Sequence, residues 1–309
     1  MRAEFELIAR IRQQVEAGRH DASVRLGLGD DAAVVRPTPD HDLVVCTDSI
    51  VVDRHFHADW AADDIGYLAL AVNLSDLAAM AARPRWFLWA LTLPQADPEW
   101  VMQCLQGMLG LADAQGCQLI GGNLARGPLN LTVTAMGEVR SNQRVARYGA
   151  QPGDQLLVTG TLGDCSAAVA LGESAHLDLR LRWHRPVPRV AVGQALQPYA
   201  NAMIDVSDGL LADLGHLLGE PLGAVLDWRQ LPSSSALRHA VPDESARRHH
   251  QLVGGSDYEL LVCVPSDRVA AAQAAAAAFD TPLTVIGEVT AEPGIRPPYH
   301  YSGWDHFSE

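Results

Sequence analysis

A turn-rich segment near the middle of the chain, Tyr148–Asp154, constrains the fold more than any other feature. Its sequence, YGAQPGD, contains two glycines and a proline, which interrupt regular helices and strands. The segment divides the 309 residues into two halves, each about as long as an ordinary domain. Helix-like and strand-like patterns occur on both sides of it. We therefore predict two domains, residues 1–148 and residues 149–309.

Runs of β-branched and apolar residues predict strands, and longer amphipathic or alanine-rich stretches predict helices. In the first half the predicted elements are helices over 4–17, 58–82 and 97–115, two short strands around a glycine–aspartate turn within 26–35, and strands over 42–52, 86–93, 118–123 and 129–139. In the second half they are helices over 164–171, 187–198, 208–218 and 266–279, and strands over 155–159, 202–206, 222–228, 257–264 and 283–289.

The chain contains no lysine, because all 23 of its basic residues are arginines. P-loop NTPases and protein kinases need a lysine beside the phosphates, and Schiff-base and pyridoxal enzymes need a lysine amine. The sequence excludes all of these classes. The net charge of −14 also disfavours binding to nucleic acids or anionic membranes. Any phosphate chemistry must depend on arginine, backbone N–H groups, helix N-termini and metal ions.

The five cysteines are widely spaced and form no CxxC motif. This pattern predicts a reducing compartment, with neither a disulfide framework nor a zinc site. The N-terminus lacks the apolar core of a signal peptide. The most apolar region, residues 67–93, is interrupted by Asn73, Asp76, Arg83 and Arg85, which argues against a membrane span. We expect a cytoplasmic protein.

Aspartates follow or interrupt apolar segments at several places, namely at Asp30, Asp31, Asp48, Asp76, Asp205 and Asp208. Carboxylates at the ends of strands suit Mg²⁺, which prefers hard oxygen ligands. Aspartate is also common in turns and at helix N-termini, so each one taken singly has a simpler structural explanation. Asp76 is the clearest candidate, because an unpaired carboxylate within an apolar helix would be costly.

The segment Asp205–Leu210, with the sequence DVSDGL, lies between a predicted strand and a predicted helix. Ser207 is expected to cap the helix, which would leave N–H groups available to a phosphate. In the simpler alternative, Asp208 lies in the first turn and complements the helix dipole. A metal–nucleotide site and a plain helix start both remain open.

Two glycine-rich segments are predicted turns, residues 121–127 (GGNLARG) and residues 160–164 (GTLGD). Glycine permits close approach of the backbone to a ligand, but a tight turn alone also explains it. Neither matches GxGxxG, so a dinucleotide fold is not supported.

Two arginines, Arg144 and Arg147, lie near the predicted boundary. They either contact phosphate or are simply solvated.

A histidine pair and a tryptophan near the C-terminus are the last candidate site residues. The spacing of His55 and His57 is a poor match to zinc, but one of them could donate a hydrogen bond to a substrate. Trp304, near the C-terminus, either packs a tail onto the core or stacks on a flat heteroaromatic substrate. No GxSxG motif is present, so covalent catalysis is unsupported.

Segments along nearly the whole chain resemble one known family. In order they are EFELIARI, GLGDDAAVV, CTDSIVVDRHF, ALAVNLSDLAAM, LIGGNLARGPL, RYGAQPGDQLLVTGTLGD, IDVSDGLLADLGH, GGSDYELLVCVP and GWDHF. Each segment is short, but their order and spacing are specific. The chain resembles the thiamine-monophosphate kinase family, whose superfamily includes aminoimidazole ribonucleotide synthetase and selenophosphate synthetase.

The resemblance implies a fold and a reaction. The fold would be an N-terminal α+β domain that contributes strands to a dimer interface, followed by a C-terminal α/β domain over the nucleotide. The reaction would be direct in-line transfer of the ATP γ-phosphoryl group to thiamine monophosphate, with several Mg²⁺ ions. This agrees with a chain that is rich in aspartates and has neither lysine nor an activated nucleophile, because phosphoryl transfer depends on positioning and charge neutralisation.

The resemblance also implies roles for particular residues. The positions that match metal ligands are Asp31, Cys46 through its backbone carbonyl, Thr47, Asp48, Asp76, Asn123, Asp205 and Asp208. The positions that match nucleotide contacts are Gly122, Asn123, Arg147 and Ser207. The positions that match substrate contacts are His55, Ser256 and Trp304.

Two of these positions depart from the family pattern. Asn123 replaces a metal-binding aspartate, so one ion should be held less tightly. Ser256 replaces a substrate-contacting glutamate, which should raise KM for thiamine monophosphate. Asp257 or Glu259 could compensate, although alternation along the predicted strand points Asp257 away from Ser256.

Three alternatives to a thiamine-monophosphate kinase stay open from the sequence. Ser256 motivates a related ATP-dependent enzyme that acts on another small substrate, while His55 and Trp304 argue against it. Asn123 motivates a non-catalytic nucleotide-binding homologue, which would bind ATP without turnover. A two-metal hydrolase would release inorganic phosphate without a phosphorylated acceptor.

Overall fold

The computed structural model describes residues 2–18 and 21–299 of the chain. The fold divides into two compact units, one formed by Met1–Leu77 and Ala82–Asn142 and the other by Ala78–Ala81 and Gln143–Glu309. The predicted boundary at residues 148/149 lies a few residues beyond the point where the chain enters the second unit. The assignment of ATP binding, metal binding and dimerisation to the N-terminal domain stays a prediction. No helix in the described ranges is both long and apolar enough to span a bilayer.

The N-terminal unit is built around a four-stranded sheet in the order β3–β6–β4–β5. Its elements are α1 (Arg2–Glu16), β1 (Val24–Leu26), β2 (Val34–Val35), β3 (His41–Val51), α2 (Ala62–Ala79), β4 (Arg83–Leu93), α3 (Pro98–Gln115), β5 (Gln118–Arg126) and β6 (Asn130–Arg140). β3 and β4 each pair antiparallel with β6, and α3 carries the chain from β4 to its parallel neighbour β5. β1 and β2 form a separate short hairpin.

The C-terminal unit has a six-stranded sheet in the order β12–β9–β11–β7–β10–β8. Its elements are β7 (Gln155–Thr159), α4 (Asp164–Leu171), α5 (Leu177–His184), α6 (Val190–Leu196), β8 (Ala202–Val206), α7 (Leu210–Leu218), β9 (Gly223–Leu226), α8 (Ser235–Ala240), α9 (Glu244–Val253), β10 (Glu259–Val264), α10 (Val269–Ala277), β11 (Leu283–Thr290) and β12 (Gly294–Arg296). Neighbouring strands are antiparallel except for β9 and β12. The central strands β7 and β10 are almost wholly buried, and with α7 they contribute to the main core of this unit.

The predicted alternation of helices and strands is confirmed, with differences at particular elements. α2 begins at Ala62 rather than near residue 58, and it ends at Ala79, just before Ala81, which has a positive φ of 55°. Residues 121–126 are part of strand β5 and do not form a turn. β10 begins at Glu259, two residues later than predicted. The prediction missed α5, α8, α9 and β12, which are short or strongly polar segments.

Candidate active site

In the N-terminal unit, strand β3 and helix α2 bring together several of the predicted metal-binding residues. Cys46, Thr47 and Asp48 are consecutive on β3, and Asp76 lies on α2. The fully buried Asn73 of α2 joins the two elements, because its side-chain oxygen accepts the Asp48 N–H at 3.1 Å. The Cys46 thiol donates to the Asn73 carbonyl at 3.3 Å. Asn73 was not predicted as a site residue, although a polar residue three positions before Asp76 in an apolar helix is a recognisable signal.

The electrostatics of this group keep the cysteine neutral. Burial raises the pKa of the Cys46 thiol well above its ordinary value, and the carboxylates of Asp76 and Asp48 raise it further. The thiol therefore remains protonated near neutral pH. The two carboxylates lie close enough to the same thiol to influence it, and the role of the Cys46 backbone carbonyl as a metal ligand stays a prediction.

Asp31 lies in the exposed loop of the β1–β2 hairpin, whose base is fixed by a buried ion cluster. Arg85 donates to Asp21 at 3.0 Å and to Ser23 at 3.1 Å, and both of these residues lie just before β1. Arg85 also pairs with Glu138, which in turn accepts from the N–H of Thr38, after β2, at 2.6 Å. The cluster therefore joins both ends of the hairpin segment to the sheet. Sequence analysis did not identify Arg85 as part of this arrangement.

Gly122 and Asn123 lie on β5, where they pair with Trp89 and Ala90 of β4. A Cβ atom on Gly122 would come within 1.9 Å of the Trp89 carbonyl oxygen, so packing of the strands alone requires glycine there. The predicted turn is therefore wrong, and close approach of a ligand is not needed to explain this glycine. Asn123 is exposed, and its neighbours along β5 hold its backbone in an extended conformation.

His55 lies in a turn that follows β3 rather than on a regular strand. The ring Nδ1 of His55 accepts the backbone N–H of Val51 at 3.1 Å. The backbone N–H of His55 donates to the Val51 carbonyl at 3.0 Å. Because Nδ1 accepts, the proton of the neutral ring is on Nε2. The turn thus fixes the tautomer with its proton on Nε2, and the hydrogen bond from this histidine to a substrate stays a prediction.

In the C-terminal unit, Asp205 lies near the end of β8, and Ser207 and Asp208 lie in the loop that follows this strand. The predicted cap by Ser207 is wrong, because α7 begins only at Leu210 and no side chain caps it. Instead the Asp213 carboxylate, one turn into the helix, accepts the N–H groups of Ser207, Asp208 and Gly209 at 3.0–3.1 Å. These N–H groups are therefore already satisfied by a side chain, and they are not available to a phosphate.

Gly209 makes this loop possible. It has a φ of +114°, and a Cβ atom there would lie 2.6 Å from the Val253 carbonyl oxygen. Burial and the nearby carboxylates of Asp205 and Asp208 raise the pKa of Asp213 to about 7. The carboxylates of Asp205 and Asp208 thus both lie near Asp213, and a cation is stabilising beside such a group of negative charges.

Ser256 lies in a loop, residues 254–258, and not on a strand. Its N–H donates to the Ser207 carbonyl at 2.7 Å, which places the predicted substrate residue beside the predicted nucleotide loop. The expected alternation between Ser256 and Asp257 therefore does not apply, since β10 begins only at Glu259. Asp257 and Glu259 are both buried and hydrogen-bonded within this unit. Neither is in a position to replace the missing glutamate side chain at position 256.

Two predicted site residues remain, Arg147 and Trp304. Arg147 is exposed in the segment between β6 and β7, and Trp304 lies outside the described residues. Within 2–18 and 21–299, no three or more His, Cys, Asp or Glu side chains are arranged to hold a metal ion by themselves. The described carboxylates instead form smaller groups in each unit, around Asp48 and Asp76 and around Asp205 and Asp208.

Comparisons with known proteins agree with this arrangement. Residues 29–139 match the family model described as AIR synthase related protein, N-terminal domain, and residues 151–300 match the corresponding C-terminal domain. The thiamine-monophosphate kinase of Escherichia coli O157:H7 is 41% identical over 99% of this chain and 98% of its own length. This chain belongs to the thiamine-monophosphate kinase family. The protein of that name from Bacillus subtilis is 34% identical over 93% of the chain and 91% of its own length.

Solved structures of thiamine-monophosphate kinases share the fold. The enzyme from Stenotrophomonas maltophilia is 43% identical, with a TM-score of 0.87 over 95% of this chain and 96% of that one. AaThiL complexed with AMPPCP and TMP is 30% identical, with a TM-score of 0.79 over 98% of this chain and 97% of that one. The predicted fold class, two domains of the aminoimidazole ribonucleotide synthetase type, is therefore confirmed.

Proposed function

We propose that this chain transfers the γ-phosphoryl group of ATP to thiamine monophosphate, giving thiamine diphosphate and ADP. The observation that carries the proposal is the full-length match to a thiamine-monophosphate kinase complexed with AMPPCP, an ATP analogue, and with TMP. The motifs that match substrate and metal positions of the family lie in this chain in the same order. The absence of lysine and of an activated nucleophile in the sequence fits direct in-line transfer.

We propose that Mg²⁺ ions accompany ATP. The residues that would hold them are Asp31, Cys46 through its carbonyl, Thr47, Asp48, Asp76, Asn123, Asp205 and Asp208. The donors fit the ion, since all are oxygens and their carboxylates occur in small groups, and Mg²⁺ in kinases is bound by one or two carboxylates together with substrate phosphates. When bound, the ions neutralise charge on the transferred phosphoryl group.

The chain's own residues bind and orient the two substrates in this proposal. Gly122, Asn123, Arg147 and Ser207 would contact the nucleotide, with Arg147 as the cation that replaces the usual lysine. His55 would donate from Nε2 to thiamine monophosphate, Ser256 would contact it from the loop beside Ser207, and Trp304 would stack on a thiamine ring. The buried bonds of Asn73 and Asp213 hold the metal-binding segments in place before substrates arrive.

An acceptor comparison tests this function. We would measure ADP release from ATP and Mg²⁺ with thiamine monophosphate, thiamine or thiamine diphosphate as the acceptor. Release that depends on thiamine monophosphate, with one ADP formed per acceptor consumed, is the expected result. Equal ADP release without any acceptor would instead indicate hydrolysis, and ATP binding without release would indicate a homologue that has lost the reaction.

Asn123→Asp is expected to reduce the Mg²⁺ concentration that gives half the maximal rate by about fivefold. The added carboxylate is exposed, where a charge pair contributes about 1 kcal/mol. The rate is measured against free Mg²⁺ at saturating ATP. Asn142→Asp adds the same charge at an exposed turn of the same unit and serves as the control. An unchanged Mg²⁺ dependence in Asn123→Asp would show that Asn123 does not contact an ion.

Ser256→Glu is expected to lower KM for thiamine monophosphate by about tenfold, because a hydrogen bond to a charged group contributes about 1.5–3 kcal/mol. Asp257 and Glu259 are occupied elsewhere, so the wild-type site has no substitute carboxylate from these two residues. Ser256→Gln introduces a side chain as long as glutamate but without its charge, so comparing KM in the two variants separates the effect of charge from that of side-chain length. If KM is the same in Ser256→Glu as in the wild type, the assignment of Ser256 to the substrate site is wrong.

We also propose a homodimer and a cytoplasmic location. β3 is an edge strand, and its side chains Leu43 and Val45 are 46% and 55% exposed, which is unusual for apolar residues on a long edge. Leu43→Glu with Val45→Glu is expected to convert the dimer to a monomer in light scattering, while Val225→Glu in the C-terminal unit should not. A dimeric mass retained by the double variant would place the interface elsewhere.

The proposed cytoplasmic location is supported by the cysteines. The five free cysteines fit a reducing cytoplasm.

A further inference from the structure

A cluster of five charged side chains lies beside the loop that carries Ser256, and the proposed reaction uses none of them. It comprises three carboxyl groups and two guanidinium groups, from Asp164, Arg182, Arg189, Asp257 and Glu259. The three carboxyl-bearing residues are at most 1% exposed. They come from β10, α4 and the loop before β10, while the arginines come from α5 and the segment before α6.

Glu259 is the centre of the cluster and is fully satisfied. It accepts from Arg182 Nη2 at 2.7 Å, from Arg189 Nε at 2.7 Å and Nη2 at 2.6 Å, and from Thr159 Oγ1 at 2.6 Å. These bonds outweigh burial, which alone would raise its pKa, and they hold the pKa of Glu259 below its ordinary value. Glu259 is therefore an anion, and its negative charge offsets much of the positive charge of the two arginines.

Asp164 is also satisfied, but mainly by neutral donors. It accepts from Thr161 Oγ1 at 2.8 Å and from Ser234 Oγ at 2.6 Å, and Arg182 Nε lies 3.8 Å away. The two arginines thus balance two carboxylates, Glu259 and Asp164. A third carboxylate in the same buried region would be an uncompensated charge, which is costly at low dielectric constant.

Asp257 is that third carboxyl group. Its Oδ2 accepts the Gly163 N–H at 2.7 Å, whereas its buried Oδ1 has no hydrogen-bond partner among the described residues. Burial, followed by the Asp164 and Glu259 carboxylates, raises the pKa of Asp257 to about 8, against the opposing effects of Gly163 and Arg182. The nearby Cys165 thiol and the His250 ring are neutral near pH 7, because burial raises the pKa of the first and lowers that of the second.

The loop that contains Asp257 is fastened on two sides. On one side the N–H of Ser256 donates to Ser207, and that of Tyr258 donates to the Val206 carbonyl at 2.9 Å. On the other side Asp257 holds Gly163. Ser256 and Tyr258 have positive φ values of 66° and 51°, a conformation that needs support from surrounding contacts.

We propose that Asp257 is a positioning residue that acts as the neutral acid, so that one proton on its carboxyl group keeps the substrate loop, residues 254–258, fastened between Gly163 and Ser207. Loss of that proton would place a third negative charge beside Asp164 and Glu259 and would loosen the loop that presents Ser256. This inference rests on the proposed function for its effect on the substrate, but not for the existence of the proton.

The proton is tested by the pH dependence of unfolding of the full chain in urea, from pH 6 to pH 8. A group whose pKa is raised by folding contributes stability that is lost as pH rises, by up to about tenfold in the unfolding equilibrium constant per pH unit. Asp257→Asn should remove this part of the slope, because the amide cannot titrate. Asp227→Asn, a partly exposed site in the same unit, should leave the slope as in the wild type.

The positioning role is tested by hydrogen exchange of the Ser256 and Tyr258 amides and by KM for thiamine monophosphate at pH 7 and pH 9. In the wild type, protection of these amides should fall and KM should rise above pH 8, and in Asp257→Asn both should stay nearly constant. Asp257→Ala loses the bond to Gly163, so its loop should be less protected at every pH. A constant kcat with a changing KM would distinguish positioning from general unfolding.

Two results would overturn the inference. If Asp257→Asn keeps the wild-type pH slope of unfolding, Asp257 does not carry the proton. If the slope changes but amide protection and KM are unaffected between pH 7 and pH 9, the proton does not control the loop. If the protein has no kinase activity, the unfolding and exchange measurements still test whether Asp257 carries a proton that holds the loop. Failure of the proposed function is therefore distinguishable from failure of this inference.

Discussion

Asp76→Asn is expected to lower kcat/KM for thiamine monophosphate by about 10³-fold or more, which corresponds to about 4 kcal/mol of transition-state stabilisation. Asp76 lies on α2 close to Cys46, near enough to raise the pKa of that thiol as Asp48 also does. In the proposed reaction both carboxylates hold cations that neutralise the transferred phosphoryl group. The amide has nearly the same shape but lacks the charge. The loss is measured as the initial rate of thiamine diphosphate formation.

The same substitution should not destabilise the protein. The amide keeps an oxygen that can accept a hydrogen bond from the Cys46 thiol and removes one of two nearby negative charges, so the melting temperature of Asp76→Asn should stay close to that of the wild type. Asp113→Asn, at an exposed position on α3, provides the matched control and should retain full activity. A variant at position 76 that keeps at least half of the wild-type kcat/KM would remove Asp76 from the set of metal-binding residues.

Glu259→Gln is expected to lower the free energy of unfolding by about 3–5 kcal/mol, because it leaves the largely buried guanidinium groups of Arg182 and Arg189 without their shared counter-charge. The wild-type carboxylate accepts from Arg182, Arg189 and Thr159, and it is completely buried. Urea unfolding at pH 7 measures the change. Glu288→Gln on strand β11 of the same sheet is the control, since an exposed substitution usually changes stability by less than about 0.5 kcal/mol.

The effect of Glu259→Gln has a defined dependence on pH. Burial alone would raise the pKa of Glu259, but its bonds to Arg189 and Arg182 hold the pKa below the ordinary value of 4.5. A group whose pKa is lowered by folding stabilises the protein above that value and loses its contribution as the solution is acidified. The difference between wild type and variant should persist from pH 5 to pH 8 and shrink in stronger acid. A difference below 0.5 kcal/mol at pH 7 would contradict the role assigned to the ion pairs.

Much of the secondary structure could be predicted because local signals agree with one another. β7 and β8 were predicted with the bounds that they have, since each is a short apolar run between turn-forming residues. α9 was missed because its sequence, ESARRHHQLV, is strongly polar and its buried positions include a glutamine, Gln251. Such a helix is stabilised by its place in the fold, which no local pattern records.

The arrangement of the site was less predictable, because the decisive contacts join distant residues. Arg189 and Glu259 are 70 positions apart, and Asp257 and Gly163 are 94 positions apart. The error at Ser207 has a local origin instead. A serine before a helix is the expected cap, but Asp213 lies one turn further along and its carboxylate reaches back to the same N–H groups. Asn73 shows a different case, since the sequence analysis used it only as an interruption of the apolar region, whereas the structure buries it and bonds it to Asp48.

The central claim, that this chain phosphorylates thiamine monophosphate, is tested most directly by following the label from γ-labelled ATP. The purified full-length chain is incubated with labelled ATP, Mg²⁺ and thiamine monophosphate, and the thiamine phosphates are separated by chromatography. The account predicts label in the terminal phosphate of thiamine diphosphate, in an amount equal to the ADP formed. Label found only in inorganic phosphate, with thiamine monophosphate unchanged, would contradict it.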